Sequence, residues 1–383
     1  MPADPLHQQL TSPAQPIPPD DLGEGPEDGV ALCLSGGGYR AMVFHIGVLW
    51  RLNEAKLLER LQRISSVSGG SITAGVLGTR WTKLGFQNGV GQNFVREVVE
   101  PLRQFASRTI DAGAIVGGIF LPGTIADRVA SAYRKFLFGT ASLQSLPDAP
   151  RFVFNATSVQ SGVLWRFSKP YMADYRVGRV LSPDVEIAVA VGASSAFPPV
   201  LSPVEMHLDP AKFEAGSGTD LASSEYRSQI VLTDGGVYDN LGLETAWKRY
   251  RTILVSDAGG RMAPDADPEH DWARHALRIL DVIDNQVRSL RKRQVIEAFK
   301  RGDRTGAYWG IRTNIADYQL ADALTCPVDR TMELANIATR LQKMDDSLQE
   351  RLINWGYAVC DAALRKHVDS KVPKGQFPYP RGV

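Results

Sequence analysis

Twice in quick succession this chain repeats one unit: a short apolar run, a glycine turn, then a stretch with helical spacing. Val30–Leu34 is followed by Ser35-Gly36-Gly37-Gly38 and a helical pattern from Arg40 to about Lys56. Ile64–Val67 is followed by Ser68-Gly69-Gly70 and a second helical stretch to about Leu84. A short apolar run bounded by turn residues fits a strand buried on both faces, and its alternation with helices argues for a parallel sheet covered by helices. Phe152–Thr157, Val163–Phe167, Ile230–Leu232 and Thr252–Val255 read as further strands. The C-terminal third reads as helical. His275–Arg301 carries Leu280, Ile283, Val287 and Leu290 at helical spacing, and Ser347–Lys366 forms a last helix with a bend at Gly356. The expected fold class is α/β: a three-layer α/β/α unit with a mostly parallel central sheet and additional C-terminal helices.

The chain has 383 residues, 44% apolar and 22% charged, enough to bury a core without staples. Residues 1–28 are rich in Pro, Asp, Glu and Gly and read as a disordered lead-in. No repeat or later linker divides the rest. The expected organisation is one domain over 29–370, with a core over 29–260, a helical extension over 261–370 and a tail over 371–383. Net charge is +1, from 43 basic and 42 acidic side chains, so no global field attracts nucleic acid. The three cysteines, Cys33, Cys326 and Cys360, form neither a disulfide framework nor a zinc pattern. No run reaches the ~18 apolar residues of a membrane span, and no secretory pattern opens the chain. Cytoplasmic residence with at most peripheral lipid contact is the expectation.

Three constellations carry chemistry. Ser66-Val67-Ser68-Gly69-Gly70 fits the nucleophile elbow G-x-S-x-G except at Ser66, a small residue where the motif has Gly. In such an elbow the Ser is lifted out of the sheet on a tight strand-to-helix turn. The plainer reading is a glycine turn that starts a helix. Ser35-Gly36-Gly37-Gly38-Tyr39-Arg40 stands between a strand and a helix, where backbone amides converge and the helix dipole favours negative charge. That suits an oxyanion or a phosphate. The nucleotide reading lacks the last Gly of G-x-G-x-x-G, which is Ala41 here, and the P-loop Lys. Third, Asp234-Gly235-Gly236 ends an apolar strand in Leu232–Asn240; a plain Asp-Gly turn is the alternative.

Taken together, in this order and spacing, these motifs resemble the patatin-like phospholipase family. Gly36-Gly37-Gly38-Tyr39-Arg40 is similar to its oxyanion motif, Ser66–Gly70 to its nucleophile elbow, and Asp234-Gly235-Gly236 to its Asp-Gly-Gly/Ala box. Ala193-Ser194-Ser195-Ala196-Phe197-Pro198-Pro199 resembles the small-residue-then-Pro segment between them. The string from Ser35 to Met42 resembles cytosolic phospholipases A2 in particular. The resemblance covers residues 29–260 and departs at Ser66 and Ala41, where the family has Gly.

What the resemblance implies is a patatin-like fold and a Ser–Asp dyad that cleaves fatty acyl esters of a phospholipid or lysophospholipid. Ser68 is then the nucleophile and Asp234 its base. The amides of Gly36, Gly37, Gly38 and Gly69 supply the oxyanion hole, and Arg40 contacts the substrate phosphate. A carboxylate serves as base when burial raises its pKa towards working pH. The dyad needs no cofactor or metal, and the sequence points to no activating ligand or protein. Three other readings stay open: a Ser-His-Asp esterase using His270, His275 or His367, a non-catalytic lipid-binding module, and a nucleotide-binding protein. Weaker features are an apolar segment, Ala112–Leu121, that reads as a lid or as buried core, and a basic stretch. The latter comprises Arg288, Arg291, Lys292, Arg293, Lys300, Arg301 and Arg304, and reads as a solvated helix face or a contact for anionic headgroups. Asp257 is a second candidate acid.

Overall fold

The computed structural model describes residues 26–110 and 125–383. The segment 112–121, read as a lid or core, lies outside them, as do residues 1–25 of the lead-in. Ten strands form one mixed sheet. In chain order the principal elements are β1 (Glu27–Leu34), α1 (Gly38–Glu54), β2 (Arg63–Ser66), α2 (Gly69–Thr79), α3 (Glu100–Ala106) and α4 (Ile125–Tyr133). Then come β3 (Arg151–Ser158), β4 (Leu164–Phe167), β5 (Tyr171–Asp174), β6 (Gly178–Leu181), α5 (Ile187–Ser194), β7 (Val204–His207) and β8 (Gln229–Asp234). The chain closes with β9 (Tyr250–Asp257), α6 (Trp272–Arg301), β10 (Thr305–Gly310), α7 (Val328–Ala335) and α8 (Asp346–His367).

The strand order is β10-β9-β1-β2-β3-β4-β5-β6, parallel from β10 to β3 and antiparallel from β3 to β6. The layers follow from the two-residue period of β1. Leu32 and Leu34 enter the large core shared with α1, α2 and α8. Ala31 and Cys33 face the other way, into a smaller core with Leu241, Ala246, Val255 and Val295 of α6. Both faces of the strand are apolar, so the run reads as continuous rather than alternating.

β8 decides where the site forms. It runs antiparallel to β3, with Asp234 opposite Ala156, and β2 runs parallel to β3, with Ser66 opposite Phe154. β4 occupies the other edge of β3 along both stretches. β2 and β8 therefore lie end to end on one edge of β3, their C-terminal ends facing each other. Asp234 ends its strand as expected, and that strand is antiparallel to β3 and aimed at the β2 elbow.

Two features differ from the expected helical extension. Thr305–Gly310 is a strand, β10, paired in parallel with β9 at the sheet edge. Helix α8 is buried over most of its length and lies against α1, inside the fold rather than beside it. The α1–α8 contact is made on glycines. A Cβ at Gly47 would lie 1.9 Å from the Ile353 carbonyl oxygen, and one at Gly356 would lie 2.0 Å from that of Phe44. Gly356 serves this close approach within a continuous helix. Strand β1 starts at Glu27, two residues before the expected Gly29.

Candidate active site

The strand–glycine–helix repeat places the N-termini of α1 and α2 side by side. A Cβ on Gly69 would stand 2.1 Å from the Gly38 carbonyl oxygen, so the two turns touch through backbone alone. Gly37 and Gly38 have φ of 142° and 58°, conformations in which a side chain is strained.

Ser68 sits between β2 and α2 with φ 51° and ψ −121°. This left-handed backbone in a non-glycine residue is the strain expected of a nucleophile elbow, and it persists only where neighbours enforce it. The neighbours here are a buried serine network. The Ser68 amide donates to both the carbonyl and the hydroxyl oxygen of Ser194, each at 3.1 Å. The Ser194 hydroxyl donates to the Asn155 carbonyl at 2.7 Å, and Ser71 Oγ is 2.8 Å from Ser194 Oγ. Ser66 belongs to the same network: its Oγ accepts from Ser71 Oγ at 3.0 Å and donates to the Val153 carbonyl at 3.3 Å. With Asn155 Nδ2 donating to its carbonyl at 2.9 Å, Ser66 is held by three neighbours, and the elbow keeps its geometry.

Asp234 is 2% exposed. Its Oδ1 accepts from the Gly236 amide at 2.7 Å, while Oδ2 is buried with no partner at full hydrogen-bond geometry among the described residues. Burial raises its pKa to about 7. The Gly236 amide and the adjacent Ser68 hydroxyl pull it down, and the charge of Asp284 on α6 adds to the rise. The segment after α5 holds the strand end in place: the Asp234 amide donates to the Ala196 carbonyl at 3.0 Å, and the Gly235 amide to that of Ser194 at 3.3 Å.

The glycine loop corrects two expectations. The Gly36 amide is already used, donating to the Asn240 carbonyl at 3.1 Å, so Gly36 leaves the set of oxyanion donors. Its part is steric, since a Cβ there would lie 2.4 Å from Asn240 Oδ1. The amides of Gly37, Gly38 and Gly69 have no partner among the described residues. Arg40 is turned inward and is 2% exposed. Its Nε and Nη2 donate to the Ala258 carbonyl at 3.2 and 3.1 Å, and its Nη1 donates to the Ile337 carbonyl. The guanidinium fastens the glycine loop to the end of β9, with its donors turned to backbone carbonyls. The cause is position: Arg40 lies in the first turn of α1, on the side covered by the Ala258 loop.

None of the candidate histidines hydrogen-bonds to Ser68 or Asp234. His270 and His275 are exposed, and His367 lies at the end of α8 against Tyr318. The buried histidine near the site is His45, whose Nε2 is 3.0 Å from the Ser35 carbonyl and whose Nδ1 is 3.0 Å from Ser256 Oγ. A carbonyl only accepts, so Nε2 carries the proton and Nδ1 accepts from the serine. His45 thus braces the glycine loop as a neutral ring. Asp257, the second candidate acid, accepts from Tyr308 Oη at 2.7 Å and from the Gly259 amide at 2.9 Å. Burial pushes its pKa up, but Arg288 and these hydrogen bonds outweigh that and hold it below the usual value.

Asn240 and α6 are the site elements that sequence reasoning left unassigned. Asn240 stood inside the quoted Asp234 motif, yet nothing in its residue type says that its side chain fills the space between Gly36, Gly236 and Gly259. Helix α6 comes to the site from far along the chain, and only its basic residues were a signal.

A model of the patatin-like phospholipase family matches residues 32–247, more than half of the chain, and the chain belongs to that family. Among solved structures it is similar to human GIVD cytosolic phospholipase A2, with a TM-score of 0.48 at 13% identity over 86% of this chain and 60% of that one. The same protein in complex with methyl gamma-linolenyl fluorophosphonate gives 0.47 at 14% identity, over 88% and 57%. VipD from Legionella pneumophila gives 0.34 at 15% identity, over 89% and 67%. The chain spans about 60% of the length of the first of these structures. No curated protein matched it in sequence. Among the described residues no helix is long and apolar enough to cross a membrane.

Proposed function

We propose that the protein is a lipid acyl hydrolase of the phospholipase A or lysophospholipase type, working through a Ser68–Asp234 dyad. The observation that carries this reading is the pairing of a buried carboxylate of pKa about 7 with a strained serine beside three unpartnered amides. Ionised Asp234 accepts the Ser68 proton as Oγ attacks the ester carbonyl. The developing oxyanion is met by the Gly37, Gly38 and Gly69 amides, each worth on the order of 3 kcal/mol when aimed at the charge that forms. Protonated Asp234 then returns its proton to the leaving alkoxide, and the acyl group stays on Ser68. In the second half Asp234 takes a proton from water as it attacks the acyl-enzyme, then passes that proton to the departing Ser68 Oγ, which frees the fatty acid and restores the dyad.

Approach to a lipid surface from the cytoplasm is part of the same reading. The exposed apolar side chains Trp272, Leu280 and Ile283 on α6 support the surface contact, and three free cysteines support a reducing compartment. The test is labelling with a fluorophosphonate probe alongside hydrolysis of a lysophospholipid. Wild type should label and turn over. Ser68→Ala should lose both, and Asp234→Ala should lose turnover by at least a thousandfold. Full activity in either variant would remove the dyad.

A further inference from the structure

The inward turn of Arg40 leaves the substrate phosphate without the partner first expected, and another guanidinium beside the site is under-used. Arg288 lies on the part of α6 packed against the site, its side chain 17% exposed. Its Nη1 reaches Asp284 Oδ2 only at 3.4 Å, and its Nε is buried without a partner among the described residues. Its Nη2 lies over Gly259: a Cβ there would be 2.5 Å from Arg288 Nη2 and 2.9 Å from Asn240 Nδ2. Two donors therefore meet above a glycine that leaves them room. Asn240 in turn borders the nucleophile, because the missing Cβ of Gly36 would lie 2.4 Å from Asn240 Oδ1 and 3.1 Å from Ser68 Cβ. The path from Ser68 to Arg288 is thus one side chain and two bare backbone turns.

We propose that Arg288, with Asn240 beside it, forms a phosphate subsite next to the nucleophile. The inference rests on the acyl-hydrolase reading, which it deepens by naming the group that distinguishes a phospholipid from a neutral ester. In a glycerophospholipid or lysophospholipid the phosphate stands a few bonds from the scissile carbonyl, so a donor one side chain away from Ser68 is at a suitable remove.

The surrounding charge agrees. Arg40 and Arg312 both sense Arg288 after the effect of burial, and Arg312 senses Arg261 as well. The acidic groups facing this basin are Asp257 and Asp284, with Asp281 and Asp234 coupled to Asp284. Asp257 shares its charge between Arg288 and its bonds from Tyr308 and the Gly259 amide, and Asp284 is 44% exposed on its side chain, so each carboxylate holds Arg288 only in part. Arg40, Arg261, Arg288, Arg312 and Lys292 stand against Asp257, Asp284, Asp281 and Asp234, so the cations are not outnumbered. A guanidinium fork suits the two oxygens of a phosphate better than an ammonium does.

The experiment compares kcat/KM on a lysophospholipid with that on p-nitrophenyl butyrate for wild type, Arg288→Gln, Arg288→Lys and Arg293→Gln. Arg293 is an exposed residue of the same helix and serves as control. The ratio of lysophospholipid to butyrate activity should fall about tenfold to a hundredfold in Arg288→Gln, the loss expected for charge-assisted hydrogen bonds. It should fall less in Arg288→Lys and stay put in Arg293→Gln. An unchanged ratio in Arg288→Gln overturns the headgroup assignment. Calorimetric titration with inorganic phosphate reads the subsite without turnover. Binding by wild type that is lost in Arg288→Gln, together with an unchanged ratio, assigns the site to a free phosphate. Equal binding by both proteins, or none by wild type, together with an unchanged ratio, overturns the subsite itself. If wild type hydrolyses neither ester, the acyl-hydrolase reading has failed, and the phosphate titration alone decides whether an anion site exists.

Discussion

At the scale of residues the site turns on one carboxylate and its surroundings. In the proposed dyad Asp234 has to be ionised to accept the Ser68 proton, and burial raises its pKa to about 7 from the usual 3.8. Below pH 7 the base is mostly protonated and idle; above it the base is free. The expected profile of kcat/KM is a single ascending limb, rising tenfold per pH unit below about 7 and levelling above it. A pH series on p-nitrophenyl butyrate checks this. A limb centred near pH 4 would mean that the working carboxylate is not the buried one. The motifs around Ser68 and Asp234 could be picked out in the sequence because a nucleophile elbow and an Asp-Gly-Gly turn are local features, and the proposal that the two residues pair came from the family resemblance. Residue identity did not foretell Arg40, because whether an arginine faces substrate or backbone depends on the Ala258 loop, more than two hundred residues away. Gly36 is the same lesson in smaller form: its amide is spent on a carbonyl that only the folded chain brings near.

Among the elements, the reach of the sequence has a physical limit. β1, β2 and their helices were legible because a strand buried on both faces is an unbroken apolar run and the glycine turns mark its end. β10 was not, since Thr-Gly-Ala-Tyr-Trp-Gly has no such run. Gly306 sits in it with φ 127° because a Cβ would come within 2.0 Å of the Ile253 carbonyl oxygen. The direction of β8 was hidden as well, for pairing with β3 is a long-range choice that no local pattern encodes. The α1–α8 contact gives a prediction at this scale. Helix propensity says that Gly47→Ala should stabilise by about 1 kcal/mol. The clash says otherwise: a methyl group 1.9 Å from a backbone oxygen on α8 forces the helices apart. Overpacking of this kind costs typically 1–3 kcal/mol and wins. Gly47→Ala and Gly356→Ala should each lower the urea midpoint by an amount worth about 1–2 kcal/mol, with less effect from the pair together than the sum. Gain of stability in either single variant would show that the helices do not cross at these glycines.

The whole molecule responds to pH through two buried groups that oppose each other. Asp234 has a raised pKa, so between pH 4 and 7 the native state holds a proton that the unfolded chain has released. Stability from this group is present at low pH and is lost as pH rises through about 7, by about 4 kcal/mol in all. His45 has the opposite sign. Burial lowers its pKa from 6.5 to about 4, partly offset by its bond to Ser35 and by Asp257. Between these values the unfolded chain takes up a proton that the native ring refuses, so stability is present above pH 6.5 and is lost on acidification, by about 3 kcal/mol. Between pH 4 and 6.5 the two slopes nearly cancel, and single substitutions uncover them. The stability of Asp234→Asn minus that of wild type should grow by about 4 kcal/mol from pH 4 to pH 8. That of wild type minus His45→Gln should shrink by about 3 kcal/mol from pH 7 to pH 4. Urea unfolding across this range measures both as differences, in which every other titrating group drops out. A difference for Asp234→Asn that does not change with pH would place the carboxylate in water, and the base proposed for Ser68 would lose the burial on which its pKa depends.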